Sequence, residues 1–369
     1  MPVALREVTA VFLRLGVFAF GGPAAHTAMM RDELVRRRGW VSDERFVDLM
    51  GATNLIPGPN STELAMHLGH ERARWRGLVV AGVCFIVPAA LMVTGLAWVY
   101  VEHGSTPAFE GVLYGVVPAV VAIIAHALVG LLRTVLKTVW LTALAGVALA
   151  AYFLGVNELV ILFGGAAVAG LAWAARRTTT AQVLVLPLVL AGDASAGETA
   201  RLFWTMLKIG AVLYGSGYVL LAFLEGDFVD RLGWITHEQL LDAISIGQVT
   251  PGPVFTTATF IGYLVAGWWG AVLATIAIFL PSFVFVGLLT RITDKIRSAV
   301  WSSVMLDGLN ATALALMAGV SWQLGRSALV DPLTVAITLA TLGLLLTTRL
   351  NSAWFIAGGA VLGLLAQLL

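Results

Sequence analysis

Two positively charged side chains stand inside apolar stretches at matching places in the chain. Arg14 lies within VFLRLGVF, and Lys208, which comes 194 positions later (208 − 14), lies within WTMLKIG. A charge inside an apolar membrane helix costs about 2.5 kcal/mol or more on insertion scales, so a protein that keeps two in equivalent positions is expected to use them. The pair predicts an anion site. The alternative is that each side chain extends to the nearer membrane surface.

Breaks in the apolar sequence predict a second source of positive potential. Pro57-Gly58-Pro59 and Pro251-Gly252-Pro253 have the same 194-residue spacing (251 − 57). Proline disfavours helix at the preceding residue and suits the first turn of a new helix, whose free N–H groups attract anions. The predicted donors at the two breaks are Gly58, Asn60, Ser61, Gly252, Val254, Phe255 and Thr256.

Neutral groups near these breaks add further donors. Gly21-Gly22-Pro23 permits an unwound turn and a close backbone approach, and Gly215-Ser216-Gly217 is its counterpart. The carboxamides of Asn54 and Gln248 align as well. These groups predict a small oxyanion held between two halves of the chain, although a hydroxyl there can instead bond to its own helix. The predicted substrate ligands besides the break residues are Arg14, Lys208, Gly21, Gly22, Asn54 and Gln248.

Acidic residues in the same regions are candidates for carrying protons. Asp48 and Asp242 align between the halves, whereas Glu63 and Asp307 have no acidic counterpart. Carboxyl groups inside membrane proteins commonly serve proton relays, but Asp48 or Asp242 can equally pair with a nearby arginine. His126 lies in an apolar helix and is expected to be a core residue.

The elements that position these residues come from a duplication. Gly39-Trp40-Val41 recurs as Gly233-Trp234-Ile235, and after one residue is lost Gly77 corresponds to Gly270. We predict a first repeat at 1–175, a linker at 176–200 and a second repeat at 201–369. Tandem halves in an apolar chain are typical of secondary transporters, which bind substrate where the repeats meet.

The composition indicates that this chain lies in a lipid bilayer. It is 59% hydrophobic and 12% charged, whereas a soluble domain has about a quarter charged residues. The sequence therefore predicts an all-α polytopic membrane protein. A net charge of +1 does not imply nucleic acid, and the single cysteine, Cys84, permits no intrachain disulfide or cysteine-based metal site. No metal or cofactor is expected.

Segment lengths predict five crossings in each half. The segments around the two Pro-Gly-Pro motifs are too short to cross a core of about 30 Å and predict a re-entrant helical hairpin in each half. The predicted spans are 7–30, 77–101, 109–132, 135–153 and 157–175, then 201–224, 270–289, 299–322, 332–347 and 352–369.

Charge placement predicts the orientation of the halves. Arginines cluster before the first hairpin, at 31–45, and after it, at 72–76, so a hairpin places both clusters on one face, which the positive-inside rule makes cytoplasmic. An odd number of crossings then inverts the second repeat. Both termini are expected outside an inner membrane.

The combined motifs resemble the two-domain chromate ion transporter family. They are Phe20-Gly21-Gly22-Pro23, Gly39-Trp40-Val41 and Pro57-Gly58-Pro59, with their counterparts in the second half. The resemblance implies a bacterial or archaeal inner-membrane carrier that exports chromate, a sulfate-like tetrahedral dianion, and confers resistance. It also implies alternating access at the repeat interface.

Other functions compete with this interpretation. A lipid-phosphate translocase or another anion translocase or channel would use the same helix-end chemistry. An intramembrane enzyme would need a nucleophile with a base or a metal set, and Ser61 near His67 lacks the setting of a nucleophile elbow. We therefore predict no enzyme activity, with an oxyanion and the lipid bilayer as partners and a homodimer left open.

Overall fold

All regular secondary structure in the described part of the chain is helical. The computed structural model describes residues 2–104, 106–175, 197–214, 219–296, 300–348 and 350–368, so most of the linker and Gly215-Ser216-Gly217 lie outside the described residues. The helices of the first half are α1 Pro2–Phe18, α2 Gly22–Arg31 with a π-helical turn Asp32–Arg37, α3 Asp43–Thr53, α4 Asn60–His103, α5 Pro107–Val135, α6 Val139–Phe153 and α7 Glu158–Ala175.

The second half repeats this order. Its helices are α8 Glu198–Val212, α9 Leu220–Leu224 with a π-helical turn Glu225–Arg231, α10 His237–Val249, a 3-10 turn Val254–Thr256, α11 Thr257–Ile296, α12 Val300–Ala328, α13 Pro332–Thr347 and α14 Ser352–Leu368. Among the described residues, α4, α5, α7, α11 and α12 are long and apolar enough to cross a membrane. Large apolar side chains such as Leu91 and Val147 are exposed, as lipid-facing residues are. The prediction of an all-α polytopic membrane protein is confirmed.

The longest helices of both halves each contain a sharp reversal. In α4 the helix is interrupted at Ala73 and Arg74, and a Cβ atom on Gly69 would collide with the carbonyl oxygen of Gly77. The two arms, residues 60–72 and 75–103, therefore fold back on each other at glycines. In α11 the same reversal occurs at Ala266 and Gly267, with Gly262 against Gly270.

Pro57-Gly58-Pro59 joins α3 to α4, and these two helices are in contact both at the prolines and at their other ends. Asn60 Nδ2 donates to Asn54 Oδ1 at 2.9 Å on either side of the prolines. At the other end, the Arg45 guanidinium contacts the Glu71 carboxylate at 2.6 Å. We call α3 and the first arm of α4 the tip hairpin, and we call the side of the molecule that carries the Arg45–Glu71 pair the basic face.

The start of α1 also lies at the basic face, which differs from the expected topology. The Glu7 carboxylate contacts the Arg72 guanidinium at 2.6 Å. The ring centroids of Phe12 and Trp40 lie 6.5 Å apart. The chain turns at Gly21, where φ is +105°, so α1 and α2 form a second hairpin. The segment 7–30 is thus not one crossing. In the first half the helices of membrane-spanning length that remain are the second arm of α4, α5 and α7, and α6 is a shorter apolar helix.

The two halves are inverted with respect to each other. The Trp75 ring packs against Gly287, and the Phe283 ring packs against Gly82. Residues 75 and 82 of α4 therefore run opposite to residues 283 and 287 of α11. The reversal of the first half lies at the basic face, while that of the second half lies at the opposite face.

The halves interlock through their later helices. In the first half, α5 packs along α13 and α14, and in the second half, α12 packs along α6 and α7. Gly115 meets the backbone of Gly359, and Gly165 meets the side chain of Thr312. Small residues let membrane helices approach closely where no hydrophobic effect drives them together. Each half is thus completed by helices from the other.

Candidate functional site

The two Pro-Gly-Pro tips are each held by the opposite half. Gly58 N–H donates to the carbonyl of Leu213 at 2.8 Å, and Gly252 N–H donates to the carbonyl of Ala19 at 2.9 Å. Ala19 and Leu213 are themselves equivalent (213 − 19 = 194). Both glycines have positive φ, +137° and +97°, which a residue with a Cβ atom rarely adopts. These N–H groups bond the halves together and are not free for a ligand, contrary to the expectation.

A carboxyl group lies buried beside the first tip. Glu63, in the first turn of α4, has no exposed surface. Its Oε1 accepts a hydrogen bond from Ser282 Oγ of the second half at 3.1 Å, whereas Oε2 has no described partner. None of the described ion pairs includes Glu63. Because an ionised carboxylate buried without a cation is very costly, Glu63 is suited to the neutral form in this conformation.

His26 of α2 also lies beside the first tip and was missed by the sequence analysis. We call the two Pro-Gly-Pro tips, together with Glu63 and His26, the tip layer. The Nε2 atom of His26 lies 3.0 Å from the carbonyl of Ala19 and its Nδ1 lies 3.3 Å from Ser61 Oγ. Because a carbonyl only accepts, Nε2 carries the proton, and in the neutral ring Nδ1 accepts from the serine hydroxyl. The ring edge packs on Phe85. The sequence offered one signal, its position three residues after the Gly-Gly-Pro break.

A cavity of about 960 Å³ lies between this layer and the basic face. Its wall on α5 runs from Ile123 to Val135, the end of α5 that returns to the basic face. Polar residues line both walls, and none of the described lining residues is an aspartate, glutamate, lysine or arginine. These polar and glycine residues are Gly21, Asn54, Asn60, His126, Gly130, Thr134, Asn310, Asn351 and Ser352.

Three helix N-termini border the cavity. They are the starts of α2 at Gly22, of α4 at Asn60 and of α14 at Ser352, and each start or its preceding residue lines the cavity. At α4 the Pro59 carbonyl accepts from Thr62 and Glu63, and the N–H groups of Asn60 and Ser61 have no described partner. Helix N-termini carry partial positive charge. The cavity therefore has the electrostatics of an anion site without a cationic side chain.

The two predicted cations do not meet in this cavity. Arg14 is exposed on the outside of α1 and takes part in none of the described hydrogen bonds or ion pairs. Lys208 contacts the Asp227 carboxylate at 2.6 Å, and Arg231 contacts that carboxylate at 2.8 Å. The expectation of two equivalent buried cations is therefore wrong for Arg14, and Lys208 is already paired within the protein.

The second half contributes fewer free donors than expected. Thr256 is buried and its hydroxyl donates to the Pro253 carbonyl at 2.8 Å, which is the back-bonded alternative. Val254 and Phe255 are buried, and the Gln248 Nε2 atom is buried without a described partner. None of these four lines the cavity.

The other acidic candidates have different surroundings from Glu63. Asp307 pairs with Lys137 at 3.3 Å near the basic face. Asp242 accepts from Tyr100 Oη at 2.9 Å and lines a second cavity, of about 920 Å³, at the opposite face. Asp48 is half-buried on α3. Of the four, Glu63 is the one that lies beside the Pro-Gly-Pro tips.

These features define a class of protein. Two inverted halves with broken helices that meet near the middle of an apolar bundle are the arrangement of secondary transporters. A family model described as chromate transporter matches residues 6–171 and 200–364. The chain belongs to the chromate transporter family, which is a family of transporters and not of enzymes.

Three relatives named as chromate transport proteins match most of the chain. A chromate transport protein of Cupriavidus metallidurans is 34% identical over 98% of this chain and 93% of its own length. A probable chromate transport protein of Synechococcus elongatus is 32% identical, over 92% and 89%. A chromate transport protein of Pseudomonas aeruginosa is 31% identical, over 93% and 87%. No solved structure matches the chain.

Proposed function

We propose that this protein is a secondary transporter that exports chromate across the cytoplasmic membrane and so confers chromate resistance. We name chromate because relatives that match nearly the whole chain are chromate transport proteins. The observation that carries the proposal is the cavity between the tip layer and the basic face, into which three helix N-termini and four asparagines open. By the positive-inside rule the basic face is cytoplasmic, so the cavity receives the anion from the cell interior.

Binding at the tip layer uses neutral donors. Chromate is a tetrahedral dianion that only accepts hydrogen bonds. The first turn of α4 offers the N–H groups of Asn60 and Ser61, and the Asn54 carboxamide stands beside them at the tip. The break at Gly21 and Gly22 brings backbone near the same cavity. A helix N-terminus holds an oxyanion by such contacts.

Transport requires that the cavity open in turn to each face. The tip hairpin of the first half and its counterpart in the second half, α10 with the first arm of α11, enter the membrane from opposite sides. The bonds from Gly58 to Leu213 and from Gly252 to Ala19 hold each tip against the other half. Movement of one interlocked bundle against the other around this layer exposes the site alternately. The two repeats, 1–175 and 201–369, each contribute helices to both moving bundles.

Glu63 is the carboxyl group that couples transport to protons in this scheme. It lies on the same turn of α4 as Asn60 and touches the second half through Ser282. Ionised Glu63 would repel a dianion bound at that turn, so its protonation favours occupancy. An inside-negative potential then drives the net negative complex outward.

The experiment is flux of labelled chromate in proteoliposomes that hold the purified protein, under an imposed potential. The test variant is Asn54→Ala with Asn60→Ala, and the control is Asn157→Ala. Asn157 Oδ1 caps α7 by accepting from the Leu159 N–H at 3.0 Å, and Asn157 does not line the cavity. We expect chromate to move toward the positive side, and the double variant to slow it by about tenfold or more, because each lost bond to an anion is worth about 1.5–3 kcal/mol. Absence of chromate flux in the wild type would refute the proposal.

A further inference from the structure

The buried carboxyl group of Glu63 has no contact with the cavity of about 960 Å³, which we call the basic-face cavity. Its side chain has no exposed surface, and Glu63 is not among the residues that line the cavity. A carboxyl group that gains and loses a proton during transport needs a path by which the proton arrives, and such paths in membrane proteins consist of further titratable side chains. The first arm of α4 contains them.

Two histidines follow Glu63 along one side of this arm. His67 and His70 come four and seven residues after Glu63, spacings that share one side of a helix. At 1.5 Å per residue the three span about 10 Å along the helix axis. Side chains of a helix lean toward its N-terminus, so His67 leans toward the turn of Glu63, and His70 leans toward the turn of His67. His70 is partly exposed and is followed by Glu71, whose carboxylate contacts Arg45 at the basic face. We call Glu63, His67 and His70 the polar row.

Two buried atoms of the polar row have no described hydrogen-bond partner. His67 is 2% exposed, and its Nε2 atom lacks a partner, as does Oε2 of Glu63. Buried polar groups are nearly always hydrogen-bonded, so each exception calls for an explanation. A group that passes protons must exchange partners, which a permanent hydrogen bond would prevent. The two atoms, on successive turns of α4, are suited to such an exchange.

The equivalent arm of the second half has a different residue at the central position. At the 193-residue offset of this part of the repeats, Phe260 corresponds to His67 and Tyr263 corresponds to His70. A shared ring contact supports the offset, since His70 and Tyr263 each lie edge-to-face on the tryptophan five residues later, at 5.8 and 5.4 Å. Phe260 is fully buried and cannot carry a proton. Because a phenylalanine fills the equivalent place, packing alone does not require a histidine at position 67.

We propose that His67 carries protons between Glu63 and the basic face, so that the proton and the anion reach the tip layer by separate routes. The inference rests on the proposed function and deepens it, because it assigns the path that loads the coupling group. A proton from the basic face, received through His70, binds the free nitrogen of the neutral His67 ring. The ring passes its other proton to ionised Glu63 and is left neutral, as the opposite tautomer.

The charges around the polar row do not fix His67 as a cation. None of the described ion pairs includes His67, and the neighbouring charges of Arg45 and Glu71 are paired with each other at 2.6 Å. A charge buried without a partner is costly, so His67 is neutral at rest and is charged only while it passes a proton. The titratable and charged groups that the described contacts place around the row are His70, Glu71 and Arg72 on α4, Arg45 on α3, Glu7 on α1, His26 on α2 and Tyr214 after α8.

The test compares one substitution in two backgrounds, because a relay that acts through Glu63 has no effect once Glu63 can no longer titrate. His67→Phe copies the second half, and Glu63→Gln fixes the neutral form. Labelled chromate flux is measured in proteoliposomes under an imposed potential at mildly alkaline pH. We expect His67→Phe alone to slow flux by about tenfold or more, since a positioned proton carrier accelerates transfer by at least such factors. In the Glu63→Gln background the same substitution should leave flux unchanged.

Two further variants separate proton transfer from folding. His67→Leu is a smaller replacement that also cannot titrate, and it should slow flux as His67→Phe does. His103→Leu is the control, because His103 is exposed at the other end of α4, and it should keep the flux and pH response of the wild type. We expect His67→Leu to unfold at the temperature of the wild type or above, since it removes a buried nitrogen that has no partner.

The outcomes distinguish this inference from the proposed function. Equal slowing by His67→Phe with and without Glu63→Gln, in a wild type that moves chromate, would overturn the inference and spare the proposed function. Unchanged flux in both His67 variants would overturn it as well. A lower unfolding temperature in both would assign His67 to packing, which also contradicts the inference. A wild type that moves no chromate would overturn both.

Discussion

Two equivalent regions of the protein differ in conformation. Around the basic-face cavity, His126, Gly130 and Leu345 line open space. Their repeat counterparts, each 193 positions away, are Gly319, Gln323 and Tyr152 (345 − 152 for the last). There the Tyr152 ring lies against Gly319, and its hydroxyl donates to Gln323 Oε1 at 2.5 Å. The open space at one of these two regions is filled by a tyrosine at the other.

The difference teaches which side of the transporter is closed. In the proposed alternating access, inverted repeats exchange conformations, so the closed pathway lies where the open one would be after inversion. Under that proposal we expect Tyr152 and Gln323 to separate the tip layer from the cavity at the opposite face. The closing side chains come from both halves, because α6 packs along α12.

The largest effect should come from building the filled arrangement into the basic-face cavity. Leu345→Tyr with Gly130→Gln places a tyrosine and a glutamine at the positions equivalent to Tyr152 and Gln323. We expect chromate flux to fall to less than about a tenth, since overpacked or filled cavities exclude the ligand. Leu345→Met is the control of similar volume. Flux in proteoliposomes checks the prediction, and near-normal flux in the double variant would show that this cavity is not the pathway.

A second comparison concerns the tips. The first half has the buried Glu63, whereas the second half has Thr256 and Thr257, whose hydroxyls donate to Pro253 and Val254 of their own backbone. Glu63→Gln keeps the neutral shape and the acceptor for Ser282. We expect it to insert and to transport chromate under a potential, while a pH gradient alone no longer alters its rate. Glu63→Ala should lower stability by about 1–3 kcal/mol, because Ser282 loses its acceptor. A pH response retained in Glu63→Gln would exclude Glu63 as the coupling group.

The matched cations provide a third comparison. Lys208 and Asp227 are largely buried, with 15% and 10% of their side-chain surface exposed. Lys208→Ala should cost about 1–3 kcal/mol of stability, less than an isolated buried pair, because Asp227 keeps Arg231. Arg14→Ala should change stability by less than about 0.5 kcal/mol. Thermal unfolding in detergent measures both, and equal losses would contradict the asymmetry.

The smallest effect concerns the Tyr152 hydroxyl. Tyr152→Phe keeps the ring over Gly319 and removes the bond to Gln323, worth about 0.5–1.5 kcal/mol. The balance between the two conformations should then shift about two- to tenfold toward the one open to the opposite face. Reactivity of a cysteine introduced at Ser327, near that face, measures the shift. A fully unchanged reactivity would show that the hydroxyl does not hold the closed state.

The sequence predicted the duplication, the Pro-Gly-Pro tips and the membrane environment because each depends on local pattern. It also singled out Asn54 and Asn60, which line the basic-face cavity, and their role in binding stays a prediction. It did not predict that α1 and α2 form a hairpin, since the break at Gly21 reads equally as a kink within one crossing. Long-range contacts such as the pair of Glu7 with Arg72 distinguish the two.

The remaining site residues depend on tertiary packing. His126 looked like a core histidine because its helix is apolar, and its place on the cavity follows from how α5 meets α12 and α14. His26 and Ser282 gain their partners across 35 and 219 residues of sequence. Arg14 and Lys208 matched in sequence, but exposure and the partner Asp227 separate their environments.

The most direct test of the account is ligand protection of a cysteine inside the basic-face cavity. Ser352→Cys is placed in a Cys84→Ser background, because Cys84 is the only native cysteine. Chromate oxidises thiols, so sulfate or molybdate serves as the protecting anion. We predict that a membrane-impermeant thiol reagent labels this cysteine from the basic face and that either anion slows labelling. Labelling only from the opposite face, or at a rate that neither anion alters, would contradict the account.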